Sequence, residues 1–293
     1  MLNKPVDSHE SFMTDVATRL ESSLESEYAY FNKHTVMVPS RDEVVRIIKK
    51  IHHVMFPDYF TFDEGEGKSK VALLNNIFIA LKRQLTAAFS FYDEDKLVDT
   101  ETLAYGVIDR IPAIKEMLMK DILAIYEGDP AARSPEEIIL SYPGFFAISI
   151  YRLAHELYLA KVPYIPRLMT EYAHEKTGID IHAGATIGES FFIDHGTGIV
   201  IGETTTIGNN VKIYQGVTLG AKSFELDEDG NPIKGIKRHP DIGNNCVIYA
   251  NATILGGTTV VGDNCVIGGN VWLTHSVESG KVVYYSDKNS QKS

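Results

Sequence analysis

The chain has 293 residues, 44% of them hydrophobic and 23% charged, which suits one or two folded domains and excludes disorder along its whole length. Lys and Arg total 28 against 39 Asp and Glu, and the net −11 disfavours nonspecific attraction to nucleic acid or an anionic membrane. No apolar run reaches the roughly 18 residues of a membrane span, Met1–Glu10 has no apolar signal-peptide centre, and the two cysteines, Cys246 and Cys265, make neither a disulfide framework nor a zinc knuckle. The expectation is a cytoplasmic protein that binds neither nucleic acid nor membrane.

In chain order, residues 1–177 read as an all-α domain. Helical spacing is expected over Phe12–Asn32, then at Val44, Val45, Ile48, Ile51 and Val54, then over Lys68–Tyr92, Glu101–Tyr126, Phe145–Ala160 and Arg167–Lys176. Ser40 followed three residues later by Glu43 predicts a capping box, and Pro57 a stop. Gly65-Glu66-Gly67, Gly128-Asp129-Pro130, Tyr142-Pro143-Gly144 and Pro163 separate the helices.

After residue 177 the period changes to six, and most of the 23 glycines lie here. Ile181, Ile187, Ile193 and Ile199 form one run; after a slip of two, Ile201, Ile207, Ile213 and Leu219 form another. Beyond a 23-residue break come Ile242, Ile248 and Ile254, then, after a one-residue slip, Val261, Ile267 and Leu273. Six is neither a helix period nor a two-residue sheet period; it predicts a hexapeptide solenoid, a left-handed parallel β-helix. The fold class is therefore α+β: a helical domain over 1–177, a solenoid over 178–276, and a C-terminal tail over 277–293. The break, Ala221–Arg238, carries a polar Asp-Glu-Asp-Gly-Asn-Pro turn and is expected as an extruded loop on the binding side.

Solenoid walls are aliphatic and small, so ionisable residues at the corners stand out. Three clusters do: Asp180-Ile181-His182, Asp194-His195-Gly196 and Lys237-Arg238-His239. Asp180 precedes His195 by about one coil, and coils stack at roughly 4.8 Å. A carboxylate that accepts from one imidazole nitrogen makes the other more basic. The pair reads as a general base with no protein nucleophile, which leaves the attack to a substrate hydroxyl. The rival is a three-histidine metal site of His182, His195 and His239. A corner histidine can also be a plain packed residue, and Asp129 before Pro130 equally reads as a helix N-cap.

Several stretches resemble the bacterial serine O-acetyltransferases: YPGFFAISIYRLAHELY at 142–158, TGIDIHAGATIGESFFIDHGTGIVIGETTTIGNNVKIYQGVTLG at 177–220, and RHPDIGNNCVIYANATILGG at 238–257. The resemblance covers about 120 to 270. It implies acetyl transfer from acetyl-CoA to L-serine, without a metal, as the first step of cysteine synthesis. It implies His195 as general base with Asp180 as partner, Asp129 and Asp194 on the substrate ammonium, Arg238 on its carboxylate, and His239 completing the pocket. It places Gly220, Ala221 and Ala250 along the coenzyme arm. It also implies a homotrimer, or a hexamer of two trimers, with active sites between subunits and feedback inhibition by cysteine.

Three departures accompany the resemblance. The loop after Gly220 is longer than the usual short glycine-rich one. The family's GVPA-type segment is missing after Leu273. The chain ends Ser290-Gln291-Lys292-Ser293 instead of in isoleucine, so a complex with cysteine synthase is not expected. Residues 1–95 are an extension without an assigned role. Two other functions compete: transfer to a different hydroxylated acceptor, and a non-catalytic scaffold. A zwitterion-binding set of two carboxylates and one arginine disfavours a sugar, and the Asp180/His195 pair disfavours a scaffold.

Overall fold

The structure, a computed structural model, describes residues 9–22, 37–61, 69–92 and 97–285. Among these, seven helices precede the solenoid: α1 His9–Ser22, α2 Arg41–Met55, α3 Lys70–Tyr92, α4 Thr100–Gly128, α5 Pro135–Ser141, α6 Pro143–Leu159 and α7 Ile165–Thr177. The expected helix through Asn32 is seen as far as Ser22, and the rest of it lies outside the described residues. Short α5 was not anticipated, although Ser134 caps it by accepting from Glu137 N. The Ser40 capping box is half made. Ser40 Oγ accepts from Glu43 N, but the Ser40 N–H goes to Gln84 Oε1 at 2.8 Å, and Glu43 pairs with Arg46 instead.

Gly178, left-handed at φ 70°, ends α7 and turns the chain into the solenoid. Five coils follow, wound as a left-handed parallel β-helix with three flat faces. The first face stacks Asp180–Ile181, Val200–Ile201, Thr218–Gly220, Thr253–Leu255 and Trp272–Leu273. The second stacks Thr186–Ile187, Thr206–Ile207, Asp241–Ile242 and Val260–Val261. The third stacks Phe192–Asp194, Lys212–Tyr214, Val247–Ile248, Val266–Ile267 and Val282–Val283. One aliphatic residue per strand points inward, as in the buried column Ile181, Ile201, Leu219, Ile254 and Leu273. Asparagines 210, 245 and 264 take positive φ at stacked corners, and their side-chain amides bond along the axis at 3.1 and 3.2 Å.

The solenoid runs past residue 276, into the stretch expected as tail. Val277 bridges to Val261, and Val282–Val283 pairs with Val266–Ile267. Val277 and Val283 keep the six-residue spacing, but a step of four after Leu273 hides it. Residues 221–238 leave the third coil between its first and second faces as an exposed loop. Leu226 and Pro232 form an antiparallel bridge there, and the Asp227 carboxylate accepts from Asp229 N and Asn231 N at 3.0 and 2.8 Å.

A buried ion pair joins the two halves. Arg152 of α6 donates to Asp121 of α4 through two nitrogens, at 2.6 and 2.8 Å, with both side chains almost fully buried. Arg152 also donates to the carbonyls of Ile187 and Gly188 at 3.3 and 2.9 Å, and Phe191 N donates to Asp121 at 2.9 Å. Breaking such a pair from one side strands a buried charge. Arg152→Met is therefore expected to cost about 3–5 kcal/mol, read as a lower urea midpoint. The double variant Asp121→Leu/Arg152→Met should recover part of that loss.

Candidate active site

The first and second coils differ in length. Asp180 pairs with Val200, 20 residues on, whereas Val200 pairs with Thr218, 18 on. The two additional residues sit in the corner after Asp194, between the third and first faces. His195 occupies that corner at φ 56°, followed by Gly196 and Gly198, also at positive φ. The phase slip seen in the sequence is thus the projection that carries His195 outward. Its side chain is 73% exposed, and its Nε2 lies 3.8 Å from Asp194 Oδ1.

Helix α4 delivers a second carboxylate to this edge. Asp129 caps the C-terminus of α4, so the N-cap reading is corrected: the turn after it does not become helical until Pro135. Its carboxylate accepts from Tyr142 Oη at 2.7 Å and from Ala131 N at 2.8 Å. Burial pushes the Asp129 carboxyl up, but these bonds and the charges of Lys212 and His195 hold it below its ordinary value. Tyr142 is pushed up to about 12 by burial and by Asp129. Lys212 donates to Gly128 O at 2.6 Å, a cation on a helix C-terminus, and lies 4.2 Å from the centre of the Phe192 ring.

A second cluster occupies the opposite edge of the first face, where it turns into the second. Glu203 accepts from Tyr158 Oη at 2.9 Å and from an Arg238 guanidinium nitrogen. Burial pushes the Glu203 carboxyl up, yet those two donors keep it below its ordinary value. His182 stands edge-on to Tyr158, with its pKa lowered by burial against the opposing pull of Glu203. The His239 ring is buried, and its Nδ1 accepts from Thr204 N and meets Thr204 Oγ1 at 3.1 and 2.9 Å. Burial and Arg238 bring its pKa to about 4. Gly202 is required beneath this ring, because a Cβ there would lie 2.1 Å from His239 Cδ2. Gly220 and Ala221 lead from this edge into the loop, over a cavity of about 190 Å³ lined by Lys222, Phe224, Lys237 and Arg238.

The predicted site residues therefore separate into two sets. Asp129, Asp194, His195 and Ala250 lie at one edge of the first face, and Arg238, His239, Gly220 and Ala221 at the other. Asp180 opens that face between them. Among the described residues no hydrogen bond or ion pair joins Asp180 to His195; the neighbouring imidazole that its charge acts on is His182. The coil here is 20 residues long, so a separation of 15 falls short of a full turn. Within one chain the three histidines of the metal reading do not converge, because His182 and His239 share one edge and His195 stands at the other. Sequence reasoning missed Tyr142, Tyr158, Lys212 and Glu203. Glu203 follows the corner rule that singled out His195; the tyrosines act through hydroxyls that no spacing reveals.

The fold and its paired edge clusters place the chain among the hexapeptide-repeat transferases, and a family model for the hexapeptide repeat of succinyl-transferase matches residues 241–275. A second model, serine acetyltransferase N-terminal, matches residues 78–149. The plasmid serine acetyltransferase of Synechococcus elongatus is 44% identical over 260 residues, 84% of this chain and 81% of that one. The chain belongs to the serine acetyltransferase family. Among solved structures, Entamoeba histolytica serine acetyltransferase isoform 3 in complex with cysteine aligns at TM-score 0.71 and 35% identity, over 94% of this chain and 92% of that one. The Neisseria gonorrhoeae serine acetyltransferase in complex with serine aligns at 0.56 and 27%, over 82% and 95%.

Two buried histidines make stability pH-dependent. His52, packed in the helical domain beside Ser149, is also held at about 4 by burial, against an ordinary 6.5. The unfolded chain takes up these protons first, so the stabilisation is complete above about 6.5 and is lost as pH falls toward about 4. Each histidine adds up to about 1.4 kcal/mol of loss per pH unit in that window. Urea midpoints should fall between pH 7.5 and 5, and His52→Gln should flatten the fall. Gly202→Ala should displace the His239 ring and weaken the edge around it, measurable as a shifted His239 resonance.

Proposed function

We propose that the chain transfers the acetyl group of acetyl-CoA to the hydroxyl of L-serine, giving O-acetyl-L-serine and free coenzyme A, in a site completed by two subunits. The observation that carries this reading is the separation of complementary half-sites at opposite edges of one solenoid face. One edge holds a base and two carboxylates; the other holds a guanidinium and a buried neutral imidazole. In a closed trimer with heterologous contacts, one edge of each subunit faces the other edge of its neighbour. A zwitterion spans that gap, with its ammonium toward Asp129 and Asp194 and its carboxylate toward Arg238.

His195 takes the serine hydroxyl proton as the oxygen attacks the thioester carbonyl. The tetrahedral intermediate collapses with loss of the coenzyme thiolate, which receives the proton from His195. Asp180 orients the imidazole once the exposed ring turns over the first face, and Asp194 helps to hold the imidazolium. Glu203 fixes one end of the Arg238 guanidinium and leaves its other donors for the substrate. Gly220, Ala221 and Ala250 leave room for the pantetheine arm along the groove. Cysteine shares the ammonium and carboxylate of serine, so it competes at this site and acts as a feedback inhibitor. The cysteine-bound relative supports that reading.

Thiol release from acetyl-CoA with a panel of acceptors tests the assignment. L-serine should be the preferred acceptor; activity with N-acetylglucosamine but not with L-serine contradicts it. His195→Ala should lower kcat about 10²- to 10⁴-fold. Arg238→Ala should chiefly raise KM for serine. Asp180→Asn should lower kcat at little change in KM if the carboxylate acts through His195.

A further inference from the structure

Two helix ends meet the solenoid at the edge that carries Asp194. Helix α4 ends there at Gly128, and α6 begins there at Pro143. Both ends are pressed onto the strand Phe192–Asp194. A Cβ on Gly128 would lie 2.6 Å from Phe192 Cε1, and one on Gly144 would lie 2.6 Å from Ile193 O, so both approaches need glycine. Tyr142 joins α5 to α6 as the C-cap of one and the N-cap of the other, with the extended backbone that a following proline favours (φ −81°, ψ 120°). Its half-buried ring carries the hydroxyl to Asp129 Oδ2 at 2.7 Å. The charges of Asp129, Glu137 and Asp194 all reach that hydroxyl.

Two carboxylates that are to share one ammonium repel each other until it arrives. Asp129 then has two ways to relax: it can take up a proton, or it can turn toward the Lys212 ammonium, whose charge also reaches it. Either would remove it as an anchor. The Tyr142 hydroxyl opposes both, because a neutral donor stabilises the carboxylate without cancelling its charge. Ala131 N holds the other carboxylate oxygen at 2.8 Å, so the side chain is fixed through both oxygens. Each oxygen accepts more than one hydrogen bond, which leaves both able to take an ammonium N–H. Lys212 meanwhile is occupied by Gly128 O at 2.6 Å.

We infer that Tyr142 is a positioning residue: its hydroxyl holds Asp129 in place as the anchor for the substrate ammonium, and so sets the affinity for L-serine without taking part in acetyl transfer. This rests on the ammonium site of the function proposed above. The hydroxyl comes from the helical side of the site, whereas the base stands in the solenoid corner. Its loss therefore weakens binding and leaves the proton transfer alone. Cysteine carries the same ammonium, so its inhibition weakens in parallel with serine binding.

The test uses Tyr142→Phe, which keeps the ring and removes only the hydroxyl; melting curves check that it remains folded. KM for serine should rise about tenfold, while kcat and KM for acetyl-CoA stay within about twofold of native. A packing defect would not separate these constants, because it would loosen His195 and the coenzyme groove together. The second arm is a cycle with Asp129→Asn, read as kcat/KM for serine, which needs no saturation. In the Asp129→Asn background, Tyr142→Phe should cost less than about twofold, since the group it acts through is gone. An equal loss in both backgrounds overturns the inference, as does a native KM for serine in Tyr142→Phe or a fall in kcat as large as the rise in KM. Calorimetric titration with L-serine separates binding from reaction. If serine binds but is not acetylated, the reaction assignment fails, while affinity about tenfold weaker in Tyr142→Phe still upholds the anchor and unchanged affinity overturns it.

Discussion

The buried Asp121–Arg152 pair is the joint on which the architecture turns. Neither side chain can leave water without the other, and Arg152 is satisfied only when the first coil presents the carbonyls of Ile187 and Gly188. The pair therefore fixes α4 and α6 to the solenoid at one orientation. Because α4 ends seven residues beyond Asp121, at Gly128, the same joint sets where Asp129 emerges. That place is the corner carrying Asp194 and His195, so the ion pair also sets where Asp129 stands relative to them. Lys212 reinforces the placement by holding the C-terminal carbonyl of Gly128.

The solenoid contributes regularity, and the site arises where regularity fails. A coil of 18 residues closes with small corners, whereas the first coil has 20 and projects His195 into solvent in a left-handed conformation. Left-handed backbone at a residue other than glycine is uncommon, although histidine tolerates it better than most. At the other edge, the third coil is broken by the long loop just before Arg238 and His239. Each irregularity sits at an edge of the first face.

Much of this was legible in the sequence because a six-residue period is a strong constraint. Ile181, Ile201 and Leu219 each had to face inward, and the loop at 221–238 had to leave the coil. What the period could not carry was side-chain geometry. Asp180 and His195 are 15 residues apart in a coil of 20, so a count of hexapeptides sets them near one coil apart without fixing how the exposed ring is turned. Asp129 looked like the start of a helix because Pro130 follows it, but the preceding apolar run of α4 claims it as an end. The last partial coil was hidden by a step of four after Leu273. Tyr142 and Tyr158 matter through single hydroxyls, which periodicity does not register, whereas Glu203 could have been found by the rule applied to His195.

The central claim is that one chain supplies the base and its neighbour the arginine. Chains carrying His195→Ala and chains carrying Arg238→Ala can be produced separately and together, and their acetyl transfer to L-serine compared. If each active site draws His195 from one subunit and Arg238 from the next, random assembly restores both groups at about a quarter of the interfaces. Assayed at serine far below the raised KM of the Arg238→Ala chains, co-produced chains should then recover about a quarter of native activity, well above either variant alone. Activity that stays at the level of the separate variants would contradict the account and return the whole site to a single subunit.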